Sequence, residues 1–96
     1  MKTFQLDCSQ IDSEGEFWDL YLEVIRPDGA EVFGRNLDAF WDAVSGGGPG
    51  WPGECQITLS NTQKLQCQEP RFFKGLERIA GEIKAYPFVV IVFATA

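Results

Sequence analysis

The stretch Phe88-Val89-Val90-Ile91-Val92-Phe93 decides the fold. It holds only β-branched and aromatic residues, so it reads as a strand, and a run without alternation predicts a strand buried on both faces, as in parallel sheets. A parallel strand needs a crossover before it, and the sequence supplies one. Pro70 suits the first turn of a helix in which Phe72, Phe73, Leu76, Ile79, Ala80 and Ile83 recur at helical spacing until Pro87 stops it. Upstream, Asn61 to Gln66 is open between a loop and a short helix. Gln56-Ile57-Thr58-Leu59 reads as the core of another strand, with Cys55 as its candidate first residue.

The same pattern continues toward the N-terminus. Gly46-Gly47-Gly48-Pro49-Gly50-Trp51-Pro52-Gly53 is neither helix nor central strand and reads as a flexible connecting loop. Before it, a helix is bounded by Asn36 as N-cap and Gly46 as C-terminal stop, with Leu37, Phe40, Trp41 and Val44 on one face and Asp38, Asp42 and Ser45 on another. A longer helix, about Glu14 to Ile25, opens on the capping box Ser13/Glu16, carries Phe17, Leu20, Tyr21, Val24 and Ile25, and ends at Pro27-Asp28-Gly29. Phe4, Leu6 and Cys8 alternate with polar neighbours and mark the first strand. The order is β-α-α-β-(α)-α-β. Helices between every pair of strands imply crossovers and a parallel sheet, and three strands with helices on one face make a two-layer α/β domain.

The chain of 96 residues is long enough for one core, and a single domain over 1–96 is the expectation. It has no histidine, which removes imidazole bases, Ser-His and Cys-His couples and His metal ligands, so an enzyme is not expected. Eight Lys and Arg against fourteen Asp and Glu give a net charge of −6, which opposes a nucleic-acid partner and favours a basic protein. Cys8, Cys55 and Cys67 form no CxxC pair and are odd in number, so they read as reduced thiols used for packing in a cytoplasmic protein. Met1-Lys2-Thr3-Phe4-Gln5-Leu6 has no long apolar run, so no export signal is expected, and the most apolar run, Phe88 to Phe93, is too short to span a membrane.

Few residues invite chemistry. The glycine-rich loop lacks a following Gly-Lys-Ser/Thr and leads away from a helix C-terminus, so it does not suit phosphate. Trp51 within it either anchors on the core or sits at a binding surface, where Trp is enriched. Asp38 and Asp42, one helical turn apart, suit an ordinary solvated face, an acid–base pair or a Mg²⁺ or Ca²⁺ site. Trp41, bordering that acidic stripe, suits core packing and partial exposure equally.

The segment Phe33-Gly34-Arg35-Asn36-Leu37-Asp38-Ala39-Phe40-Trp41-Asp42 resembles the signature of the barstar family, inhibitors of bacterial guanyl-specific ribonucleases. Gly34, Asn36, Leu37, Asp38, Ala39, Trp41 and Asp42 all match its pattern. The resemblance implies a three-stranded parallel sheet in the order 1-2-3. It also implies a cytoplasmic protein, monomeric when free and needing no cofactor or metal, that plugs the active site of a basic bacterial ribonuclease. Asp42 would take the place of an RNA phosphate, Asp38 would add a second acidic contact, and Trp41, Phe33, Gly46 and Trp51 would join the partner-binding surface. A well-known member carries two tyrosines where Val32-Phe33 stand here, and a tryptophan where Gly47 stands. Acidic residues of its last helix also join the interface, and around Glu77, Gly81, Glu82 and Ala85 the register is not fixed by sequence. The competing expectation is a non-catalytic barstar-fold regulatory or scaffold protein for another basic partner. A metal-dependent hydrolase using Asp38 and Asp42 ranks third.

Overall fold

A computed structural model describes residues 1–94. In chain order it contains β1 (Lys2–Asp7), α1 (Glu14–Ile25), α2 (Leu37–Gly46), β2 (Cys55–Ser60), α3 (Gln63–Gln68), α4 (Pro70–Glu82) and β3 (Val89–Phe93), with 3-10 turns at Ala30–Val32 and Ile83–Ala85. Of the open Asn61–Gln66 region, Gln63 to Gln66 are helical as the start of α3, while Asn61 and Thr62 lie before it. The sheet runs β1-β2-β3 with both pairs parallel, and Leu6 pairs with Leu59 and Ile57 with Ile91. Leu6, Ile57, Leu59, Val89 and Ile91 are buried in the core that the helices cover.

The expectation of a strand buried on both faces fails for β3. Val89 and Ile91 are buried, whereas Val90 and Val92 are 39% and 37% exposed. The helices cover one face only, and a uniformly apolar run carries no phase to say so.

Helix ends follow local chemistry. Ser13 Oγ accepts from the Glu16 N–H at 3.2 Å, and Asn36 Oδ1 accepts from the Ala39 N–H at 2.8 Å. α2 closes one residue later than expected: Gly46 is its last residue, and Gly47, at φ 75°, donates its N–H to the Ala43 carbonyl. In α1 the buried residues are Phe17, Trp18, Tyr21 and Ile25, while Val24 is exposed. Periodicity missed Trp18, which is the hub of the aromatic core. Its ring lies 5.0–6.0 Å from those of Phe17, Tyr21, Phe33, Phe40 and Phe72, mostly edge to face.

The loop after α2 is pinned rather than a flexible connector. Gly50 donates to the Asp28 carbonyl at 2.7 Å, Asp28 donates to the Trp51 carbonyl at 3.1 Å, and Trp51 donates to the Gly48 carbonyl at 3.0 Å. Gly50 sits at φ 95° beneath the Phe33 ring, which fills the space a Cβ would need. The cysteines divide as well: Cys8 and Cys55 pack in the core, but Cys67 on α3 is exposed.

Candidate partner-binding site

Phe40, Ala43 and Val44 bury one side of α2, which turns Asp38 and Asp42 outward one turn apart. The helix is positioned from both sides. Before it, Arg35 in the left-handed region (φ 54°) reaches back to Asp19 on α1 at 2.7 Å. Beside it, Gly75 of α4 leaves room for Leu37, whose Cδ1 occupies the place a Cβ would take.

Between α2 and α4 lies an open depression of about 580 Å³, lined by Leu37, Asp38, Trp41, Asp42, Arg78, Ile79 and Glu82. Leu37 and Ile79 contribute apolar lining, and three carboxylates and one guanidinium contribute charge. Arg78 Nε stands 3.6 Å from Glu82 Oε1 across one turn of α4. Among the described residues neither Asp38 nor Asp42 joins an ion pair, so both are available to an incoming cation. The carboxylates do not converge: among the described residues no three Cys, Asp or Glu side chains cluster as a metal ion would need.

Trp41 is half-buried, its ring edge to face with Tyr86 at 5.6 Å, so it combines the packing and exposure that sequence left open. Ser45 donates its hydroxyl to the Trp41 carbonyl at 2.6 Å. Gly46 and Trp51 lie farther along, where a second depression of about 270 Å³ is lined by Ser45, Gly46, Gly47, Trp51, Glu54 and Phe88. Phe33 does not join them. Its ring is buried against Trp18 and Tyr21, and the exposed residues of the preceding turn are Glu31 and Val32. An aromatic there serves the core, which corrects its placement on the partner surface.

Arg78 and Glu82 are the site residues that sequence reasoning did not place. The signal was Gly75, a mid-helix residue without a side chain. Counting three and seven residues on from it reaches Arg78 and Glu82, along the seam with α2.

Two buried thiols are structural. Burial pushes the Cys8 and Cys55 thiols each up to about 11, which keeps them protonated and unreactive at neutral pH. No helix among the described residues is long and apolar enough to cross a membrane.

An exposed acidic helix face stands beside an open charged depression on a parallel two-layer scaffold. The family model for barstar, the barnase inhibitor, matches residues 1–93, and the chain belongs to the barstar family. That family comprises protein inhibitors that bind a ribonuclease. No curated protein matches the chain in sequence.

Proposed function

We propose that this chain inhibits a basic bacterial ribonuclease by covering its active site with α2 and the depression beside it. The observation that carries the reading is the juxtaposition of Asp38 and Asp42 on α2 with Glu82 on α4 around one open hollow. A ribonuclease cleft is built to hold phosphates and presents cationic donors. A carboxylate on a capped helix meets them already oriented, so little ordering entropy is lost on binding. Asp42, nearest the middle of the exposed stripe, takes the phosphate position. Asp38 and Glu82 flank it, and the half-buried Trp41 supplies a rigid apolar contact. Gly46 and Trp51 extend the surface beyond the helix end. Inhibition needs no cofactor and no chemistry by the inhibitor itself. The protein acts as a single domain, monomeric when free and cytoplasmic, where a host ribonuclease would need restraint.

The test is titration against a panel of basic guanyl-specific ribonucleases, barnase among them, following both heat of binding and RNA cleavage. A one-to-one complex whose inhibition is relieved by raising RNA concentration supports active-site coverage. Binding that leaves cleavage unchanged contradicts it.

A second reading, a barstar-fold scaffold or regulatory module for another basic protein, draws support from Arg78. This residue sets a cation among carboxylates that a wholly cationic cleft would meet. Absence of binding across the ribonuclease panel would favour it.

A further inference from the structure

The second depression, at the C-terminal end of α2, has walls of a different kind. Trp51 and Phe88 meet edge to face, their ring centres 6.1 Å apart at an interplanar angle of 77°. Phe88 is 41% exposed, an aromatic ring on the surface with no role in the core. Glu54 shares the rim, is exposed, and joins no ion pair among the described residues. Ser45, Gly46 and Gly47 close the third side with the last turn of α2, the negative end of the helix dipole. The Asp28–Trp51 bridge holds the tryptophan backbone in place.

We infer that this Trp51–Phe88–Glu54 notch receives one lysine or arginine side chain of a basic partner. Three features select a cation independently: aromatic π-faces attract it, a carboxylate without a counter-ion pairs with it, and the helix terminus favours it. The hollow, at about 270 Å³, lies below the roughly 300–1,000 Å³ typical of small-molecule pockets and suits a single long side chain. Its position fits the same occupant as the first depression. Gly46 follows Asp42 by four residues, about 6 Å along the helix axis, so a partner seated on Asp42 reaches the notch with a neighbouring residue. The identity of that partner as a basic protein rests on the function proposed above. The cation preference of the notch rests on its own residues.

The tryptophans make the two depressions separately observable, because Trp41 lines the first, Trp51 lines the second, and Trp18 is buried as an internal control. The experiment is an NMR titration of the three indole N–H resonances with N-acetylarginine amide, N-acetyllysine amide and, as a neutral probe, N-acetylleucine amide. The expected result is a saturable shift at Trp51 with both cationic probes and not with leucine. Glu54→Gln should weaken that response at least tenfold, and Asp42→Asn should remove the response at Trp41 while leaving Trp51 unchanged. Glu54 is exposed and unpaired, so its variant keeps the fold. A Trp51 signal that ignores the cationic probes, follows leucine equally, or survives Glu54→Gln at full strength overturns the notch. Trp41 responding while Trp51 stays silent sinks this inference alone. Trp51 responding while Trp41 stays silent upholds the notch and counts against the acidic hollow as the principal cation site.

Discussion

The Tyr21 hydroxyl donates a 2.7 Å hydrogen bond to the Gly50 carbonyl, tying α1 to the loop that follows α2. The phenol is fully buried, and that burial holds its pKa well above the ordinary tyrosine value. Removing the hydroxyl strands a buried carbonyl, which costs about 1–3 kcal/mol. Tyr21→Phe should therefore lower the unfolding free energy by that amount, and the denaturant midpoint with it, and speed amide exchange at Gly50 and Trp51. An unchanged midpoint with unchanged exchange would show that the bond contributes nothing.

Two glycines of α4 should respond oppositely to alanine. At Gly75 a methyl group collides with Leu37, so overpacking should cost about 1–3 kcal/mol and push Leu37 toward the acidic hollow it lines. At Gly81 nothing lies within 4 Å, and alanine should stabilise the helix by up to about 1 kcal/mol. Thermal melts of both variants check the ordering. Equal effects would mean that α2 and α4 are not packed as described.

Alkaline pH should destabilise the protein through its buried thiols and phenol. Cys8 and Cys55 rise from 9.0 to about 11 on folding, and Tyr21 is raised above its ordinary 10.0. Above pH 9 the unfolded chain releases protons that the folded chain keeps. Stability is thus intact below pH 9 and falls between 9 and about 11 for the thiols, continuing upward for Tyr21. The slope approaches about 1.4 kcal/mol per pH unit for each group. Urea melts from pH 7 to 11 measure it, and a flat profile would contradict the burial of all three.

The thiols should also separate kinetically. Iodoacetamide under native conditions should label exposed Cys67 within minutes and reach Cys8 and Cys55 only through unfolding. Mass analysis without reductant should find all three free. Equal labelling of the three would place Cys8 and Cys55 outside the core.

Much of this was legible in the sequence, for reasons that also explain the misses. Ser13, Asn36 and Pro70 act within a turn of themselves, so the starts of α1, α2 and α4 could be read directly. Phe88–Phe93 was legible as a strand, but its faces were not: exposure of Val90 and Val92 depends on where the helices lie, which is a property of the whole layer. Trp18 was overlooked because the stripe was phased on Leu20 and Val24, residues that tertiary packing leaves nearer solvent. The pairing of Asp38 and Asp42 follows from helical spacing alone. Bringing Glu82 and Arg78 to the same hollow requires α4 to pack on α2 in one register, set by Gly75 and Leu37, and no single segment records it.

The central claim is that Asp42 stands in for an RNA phosphate, and its most direct test pairs inhibition titrations with thermal melts of Asp42→Ala. Asp42 is exposed and joins no ion pair among the described residues, so its truncation should move stability by no more than about 0.5 kcal/mol. In the complex, removing it leaves cationic groups of the enzyme buried without a counter-charge, a loss of about 3–5 kcal/mol. The expected result is an unchanged melting temperature and an inhibition constant weakened at least a hundredfold against whichever ribonuclease the unaltered protein inhibits. Equal potency of Asp42→Ala against that enzyme would contradict it.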